Sequence, residues 1–261
     1  MAAFQGLVVW ITGGGTGIGL ATAVELARQG AKVAVSGRRA DRLTEAVAAI
    51  EAVGGEALGV ACDVTDESSL ETAVATIVGK WGKLDVAIAN AGFGVAGRIA
   101  TLTDADWRRQ FDTNVFGALN TVRAALPELE KTGGRVVLIG SVAGFVSAPK
   151  NGAYNASKAA IRAIGETLSA ELVNSKVTCT TIHPGFVTSE IGQVDNEGVF
   201  HPDKQDKRPQ QLMWKTEDAA RVMVRAIAAR KREFVFTGHG KVLVALSRWM
   251  PGTVARLASR A

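Results

Sequence analysis

Leu7-Val8-Val9-Trp10-Ile11-Thr12-Gly13-Gly14-Gly15-Thr16-Gly17-Ile18-Gly19-Leu20-Ala21-Thr22-Ala23 passes from an apolar, β-branched run through a cluster of glycines into a stretch with helical spacing. A short apolar run closed by glycines and followed at once by a 3.6-residue period reads as a strand, a tight turn and a helix. Glycines let such a turn tighten and let the backbone approach a pyrophosphate, while the helix N-terminus offers unpaired N–H groups and a partial positive charge. In this strand-to-helix setting the motif predicts a dinucleotide guest. The lysine of a P-loop is absent, which argues against a nucleoside triphosphatase.

The same alternation continues along the chain. Short β-rich runs fall near Leu7 to Ile11, Lys32 to Ser36, Glu56 to Ala61, Leu84 to Ala89, Arg135 to Gly140, Lys176 to Ile182 and Glu233 to Phe236. Helical patterns begin near Gly17, Arg39, Asp66, Asp104, Gly152 and Glu217, with Thr65, Thr103 and Thr216 placed as N-caps ahead of acidic first turns. Gly30, Gly54, Gly55, Gly133 and Gly134 follow helical runs, where left-handed C-caps are expected. Thr103 to Lys131 is long enough for two helices or one bent helix. Strands alternating with helices predict an α/β fold of Rossmann type: a doubly wound, seven-stranded parallel sheet with helices on both faces. No linker or low-complexity stretch interrupts the series, so residues 1–261 are read as a single domain.

Ser189 to Trp214 breaks the pattern, and a loop that long is expected to serve function. From Lys241 to Ala261 the tail reads as amphipathic and basic, with Val242, Leu243, Leu246, Trp249 and Met250 on one helical face before Pro251 and Gly252 interrupt it. Residues 221–261 hold nine Lys or Arg against one acid, Glu233, a net +8 that leaves −3 for the rest of a chain of formal charge +5. The run is read as a solvated face that packs on a neighbouring subunit or over the cleft. Docking on an anionic membrane through Arg248, Arg256 and Arg260 is the alternative.

Charged residues make up 21% of the chain and apolar ones nearly half, a globular composition that excludes a disordered class. Cys62 and Cys179 lie far apart among β-prone residues and are expected to be buried free thiols. His183, His201 and His239 show no metal-like spacing, so no metal is assigned. Met1 to Gly6 lacks a basic n-region, and no segment approaches the roughly 20 apolar residues of a bilayer span. A soluble protein of the cytoplasm is expected.

Two further groups carry chemistry. The second strand ends in Ser36-Gly37-Arg38-Arg39, where a fold that prefers NAD usually places an acid for the ribose hydroxyls. Guanidinium groups there suit a 2′-phosphate, which selects NADP(H), with NAD(H) as the alternative. Tyr154, the single tyrosine, is followed four residues later by Lys158 on what reads as one helix face. An ordinary tyrosine, with a pKa of about 10, is a poor base at neutral pH, and an adjacent ammonium favours its phenolate.

With those residues in hand the chain resembles the short-chain dehydrogenase/reductase family over Gly6 to Phe236. The matches are Thr12 to Gly19, Asp63-Val64, Asn90-Ala91-Gly92, Asn114, Ser141, Tyr154 with Lys158, and Pro184-Gly185. The resemblance implies that Tyr154 is the acid/base and Ser141 polarises the substrate oxygen. It also implies that Lys158 holds the nicotinamide ribose and Asn114 keeps a water in a proton relay. It assigns Gly13, Thr16, Gly17, Ile18, Gly19, Gly37, Arg38 and Arg39 to the pyrophosphate and adenosine ribose. Asp63 and Val64 fall to the adenine, Asn90 and Gly92 to the ribose side, and Pro184, Gly185, Val187 and Ser189 to the nicotinamide. The chain departs from the pattern in having Ala89-Asn90 where the family doubles asparagine, Thr16 where many NADP(H)-preferring members carry a base, and Ser189 where threonine is frequent.

The expected activity is hydride transfer between NADP(H) and a carbonyl or secondary alcohol of a small molecule, in a homo-dimer or homo-tetramer that binds no nucleic acid. A regulatory or scaffold protein that binds NADP(H) without turnover is the competing reading.

Overall fold

The computed structural model describes residues 3–206 and 208–258. Its centre is a seven-stranded sheet ordered β3-β2-β1-β4-β5-β6-β7, parallel at every pairing. The strands are β1 Val8–Thr12, β2 Lys32–Gly37, β3 Glu56–Ala61, β4 Val86–Ala89, β5 Arg135–Ile139, β6 Thr178–His183 and β7 Glu233–Val235. All seven fall within the runs read from the sequence or one residue beyond them.

The helices are α1 Gly17–Arg28, α2 Ala40–Glu51, α3 Glu67–Trp81, α4 Asp104–Phe111, α5 Gly117–Thr132, α6 Gly152–Glu171, α7 Thr216–Ala228, α8 Gly238–Trp249 and α9 Pro251–Ala258. Successive strand side chains point to opposite faces, so the period of two divides the core. Val9, Ile11, Val33 and Val35 pack with Leu26 of α1, Ile50 of α2 and Ile227 of α7. Val8, Trp10 and Leu138 pack with Ile77 of α3, Leu129 of α5 and Ile161 of α6. Strands covered on both faces explain the near-continuous apolar runs. Cys62 and Cys179 are buried free thiols.

The order reverses between β1 and β4, and a crevice opens at the carboxyl ends of the strands there. Everything chemically notable gathers at that edge.

Helix starts differ from the sequence reading in two places. Asp66, not Thr65, caps α3, accepting from Ser68 N at 3.0 Å, because Thr65 is engaged by Asp63 through both its N–H and its hydroxyl. Thr216 is the first residue of α7, and Lys215 stands at the cap with no side-chain bond. Thr103 does cap α4, in a reciprocal capping box with Asp106. Gly30, Gly54 and Gly133 have the left-handed conformation expected, whereas Gly55 and Gly134 do not; Gly82, after α3, does.

The stretch from Thr103 is one helical rod interrupted by a π turn, Asp112–Phe116, between α4 and α5. In the tail, Val242, Leu246 and Trp249 of α8 and Met250 just after it are exposed, Leu243 is half-buried, and Val244 of α8 and Val254 of α9 supply the buried contacts. Arg260, read as part of the basic tail, lies outside the described residues, as does Lys207 of the loop. Among the described residues no helix is long and apolar enough to cross a membrane, and no cluster of His, Cys, Asp or Glu could hold a metal ion.

Candidate active site

A cleft of about 880 Å³ follows the carboxyl ends of the strands from β3 to β6. Every residue assigned above to cofactor or chemistry lines it except Asn114, which lies behind its wall.

At one end is the β1–α1 turn. Gly13 and Gly17 have φ of 63° and 54°, a region L-side chains rarely enter. Gly19 has no room for a Cβ, which would strike the Gly13 carbonyl and come within 2.6 Å of Asn90 Nδ2. Asn90 explains the closeness: its amide donates to the Thr12 and Gly13 carbonyls at 3.0 Å each, and Thr12 Oγ1 accepts the Asn90 N–H at 3.1 Å. The end of β4 thus rivets the turn and leaves the first N–H groups of α1 facing the cleft. Thr16, at the α1 N-cap, makes no capping bond of its own. This cradle, shaped to exclude side chains, fits a bound pyrophosphate.

Beyond Gly37, Arg38 and Arg39 stand at the start of α2, joined by Arg42 one turn on. Arg39 Nη2 meets Glu190 Oε2 at 3.0 Å. Asp63 and Val64 line the same end, with Asp63 N donating to Ser69 Oγ at 3.1 Å.

At the other end Ser141 follows β5, and Tyr154 and Lys158 sit on α6. Lys158 Nζ donates to the Ile139 carbonyl at 2.8 Å and lies 5.8 Å from the centroid of the Tyr154 ring. Burial pulls the ammonium pKa down to about 8. Burial raises the Tyr154 phenol, while the Ser141 hydroxyl and the positive charge of Arg208 oppose that rise. Gly94 brings backbone against the ring, since a Cβ there would lie 3.6 Å from Tyr154 Cδ2.

Asn114 occupies the π turn. It donates to the Phe93 carbonyl at 3.0 Å and to Ser157 Oγ at 3.2 Å, and accepts from Phe93 N at 3.1 Å. One extra residue in the helix turns this amide inward onto the loop segment that follows β4, a use of π turns common beside functional sites. Gln110 adds bonds to Val95 N at 2.6 Å and the Phe93 carbonyl at 2.9 Å, so the wall beneath Gly92 is fully knitted.

Pro184, Gly185 and Val187 follow β6, and Gly185 is pressed against Thr237 and His239 at the start of α8. Three residues of this site gave no functional signal in the sequence. Arg208 binds the Val187 carbonyl at 3.1 Å and the Ser189 carbonyl at 2.9 Å while paired with Asp206 at 2.7 Å. Glu190 and Phe200 reach the arginines of α2 from the far side of the loop. The Asp206-Arg208 spacing was open to a local pairing argument; the reach of Glu190 across the cleft had no local trace.

Comparison with known proteins places this geometry. A family model described as short chain dehydrogenase matches residues 7–199. A 3beta-hydroxysteroid dehydrogenase of Mediterraneibacter gnavus is 34% identical over 185 residues, 70% of this chain and 67% of that protein. An uncharacterised NAD-dependent oxidoreductase of Mycobacterium tuberculosis is 36% identical over 202 residues, 72% of this chain and 74% of that one. Among solved structures, a short-chain dehydrogenase/reductase from Burkholderia phymatum in complex with NAD aligns with a TM-score of 0.86 at 28% identity, covering 97% of this chain and 96% of the other. The chain belongs to the short-chain dehydrogenase/reductase family. Its class is that of oxidoreductases acting on hydroxyl or carbonyl groups.

Proposed function

We propose that this protein is an NADP(H)-dependent oxidoreductase that moves a hydride between the nicotinamide and a small-molecule carbonyl or secondary alcohol, with Tyr154 as acid/base. The observation that carries this reading is the pairing of two ends of one cleft: Tyr154, Ser141 and Lys158 at one, and Arg38 and Arg39 where an acid for ribose hydroxyls would otherwise stand at the other.

When bound, the nicotinamide supplies or accepts the hydride. The chain's own residues do the rest. Ser141 Oγ hydrogen-bonds the substrate oxygen and orients it toward Tyr154. In reduction, Tyr154 Oη donates its proton to that oxygen as negative charge develops there; in oxidation it takes the proton back. Lys158, protonated below about pH 8, stabilises the phenolate left behind. Its ammonium is also placed to bind the nicotinamide ribose. Asn114 fixes the floor on which these groups stand and, through its π turn, is assigned the water of the proton relay. Gly13, Thr16, Gly17, Ile18 and Gly19 hold the pyrophosphate at the α1 N-terminus, Gly37, Arg38 and Arg39 the phosphorylated ribose, and Asp63 and Val64 the adenine. Asn90 and Gly92 bound the ribose side, and Pro184, Gly185, Val187 and Ser189 close over the nicotinamide.

Residues 1–261 act as one domain in the cytoplasm, with 189–214 as the substrate cover. The exposed stripe of Val242, Leu246 and Trp249 on α8 supports assembly into a homo-oligomer rather than membrane attachment, and Arg248 beside Trp249 already pairs with Glu233 at 3.2 Å. The names of the relatives, an NAD-dependent oxidoreductase and an enzyme crystallised with NAD among them, make cofactor choice the point to test. Oxidation of NADPH and NADH by the purified protein against a panel of ketones and aldehydes tests it, with Arg38→Ala beside the wild type. NADPH preference that Arg38→Ala lowers about tenfold or more is expected. Equal use of both cofactors by both proteins removes the NADP(H) assignment, and binding without turnover on any carbonyl, or on alcohols with NADP⁺, favours the regulatory reading.

A further inference from the structure

The arginines of the ribose subsite are answered by a carboxylate from the substrate loop. Glu190 sends Oε2 to Arg39 Nη2 at 3.0 Å and Oε1 to within 3.7 Å of Arg42 Nη2, while Arg42 also meets Glu45 at 2.8 Å. The Phe200 ring, from the same loop, lies 5.7 Å and 6.0 Å from the guanidinium carbons of Arg39 and Arg42. Glu190 and Arg39 are separated by 151 positions in the chain and meet across the mouth of the cleft, so this is no neighbour-to-neighbour helix pair.

Neither partner is sealed from water: the Glu190 side chain is 25% exposed and that of Arg39 43%. Exposed pairs of this kind hold weakly and exchange readily for a better ligand. A 2′-phosphate is such a ligand, with up to two negative charges and three acceptor oxygens against one charge and two oxygens. A ribose with a free 2′-hydroxyl offers neither, and need not expel Glu190 to bind.

We infer that Glu190 is a specificity-determining residue: a built-in counter-ion that occupies the 2′-phosphate subsite, competes with that phosphate, and keeps the arginines neutralised when a cofactor lacking it is bound. The counter-ion thereby narrows, without reversing, the preference that the arginines give to the phosphorylated dinucleotide. The inference rests on Arg38 and Arg39 forming the 2′-phosphate subsite.

Fragments that carry only the adenosine end test it without turnover. Calorimetric titration with 2′,5′-ADP and with 5′-ADP is made on the wild type, on Glu190→Gln, and on the double variant Arg38→Ala/Arg39→Ala. Glu190→Gln is expected to bind 2′,5′-ADP about fivefold more tightly, the gain from removing one exposed ion pair, and to bind 5′-ADP unchanged. The double arginine variant is expected to lose the difference between the two fragments. An unchanged ratio in Glu190→Gln, with the arginine variant behaving as expected, overturns the role of Glu190 and leaves the subsite assignment standing. An arginine variant that keeps the wild-type ratio overturns the subsite assignment, and the role of Glu190 falls with it. A melting temperature within about 2 °C of wild type, as a surface change requires, confirms that Glu190→Gln reports on the subsite rather than on folding.

Discussion

Lys158 Nζ donates to the Ile139 carbonyl at 2.8 Å while standing 5.8 Å from the centre of the Tyr154 ring. Under the proposed mechanism the ammonium acts on the phenol through space, beside the Ser141 hydroxyl and the charge of Arg208, which favour its ionisation against burial. Burial holds that lysine at about 8, well below the 10.5 of a free one.

The pH dependence follows from this. Above about pH 8 the folded enzyme loses the ammonium, so kcat/KM for carbonyl reduction, which reports on the free enzyme, should fall through that range. Lys158→Arg keeps a cation at all accessible pH and should shift or remove the limb, whatever it costs in rate. A profile flat to pH 10 for the wild type would show that Lys158 does not set the state of Tyr154. Stability runs in the opposite sense. Between about 8 and 10.5 the unfolded chain binds more protons at this site than the folded one, so this group favours folding more as pH rises through that window.

His183 supplies an acid-side counterpart. It is fully buried at the end of β6, edge-on to Phe145 with ring centroids 4.8 Å apart; Nε2 lies 3.4 Å from Glu233 Oε1, and among the described residues neither ring nitrogen makes a well-formed side-chain hydrogen bond. Burial first, then the nearby charges of Arg162, Lys158 and Arg248, hold its pKa down to about 4. Since the unfolded histidine takes up a proton near 6.5 and the folded one does not until about 4, stability should be lost as pH falls through that interval, by on the order of 3 kcal/mol. Urea midpoints at pH 7.5 and 4.5 measure it. His183→Gln should flatten the difference, and an equal drop in both proteins would place the acid sensitivity elsewhere.

The phosphate turn predicts a contrast between two glycines. Gly19→Ala forces a methyl between the Gly13 carbonyl and Asn90 Nδ2, so it should cost about 2–3 kcal/mol of stability and abolish tight cofactor binding. Gly79, on α3 with open space where its Cβ would be, should accept alanine with a gain of about 0.5–1 kcal/mol. Thermal melts with and without NADP⁺ distinguish the two. Preserved cofactor-dependent stabilisation in Gly19→Ala would mean that the turn is not the pyrophosphate site.

Arg208 clasps the root of the substrate loop through the Val187 and Ser189 carbonyls. Arg208→Ala frees both and leaves Asp206 without its cation, so the substrate KM should rise about tenfold with a smaller change in kcat. Lysine cannot reproduce the two-pronged bonding and should rescue little. A variant with unaltered KM would release this arginine from any role in holding the loop.

The sequence and the structure agree where forces are local or repeat along the chain. Central parallel strands buried on both faces must be largely apolar, so β1, β2, β4 and β5 announce themselves, while the partly exposed edge strands β3 and β7 are marked by their place in the alternation with helices. The Thr103 box was legible because its partner, Asp106, is three residues away. Thr65 misled because three candidate caps crowd Asp63 to Asp66, and the choice among them is settled by Asp63 turning onto Thr65. The π turn at Asn114 left no local mark: it exists because Phe93, across the cleft floor, offers both a donor and an acceptor. Glu190 was silent for the same reason, its partner being 151 positions away. Family resemblance found Ser141 and Asn114, which composition and spacing alone would not have separated from ordinary polar residues.

Tyr154 is proposed to carry the proton, in a site whose cofactor-binding parts do not depend on its hydroxyl. The direct measurement is Tyr154→Phe beside the wild type, with NADPH-dependent carbonyl reduction and NADPH binding by fluorescence read on the same preparations. In Tyr154→Phe turnover is expected to fall by at least about 10²-fold, the scale of a lost general acid, while the NADPH affinity stays within about threefold, since the ring and its packing survive. Turnover near the wild-type rate with intact binding would contradict it and move the proton to another group.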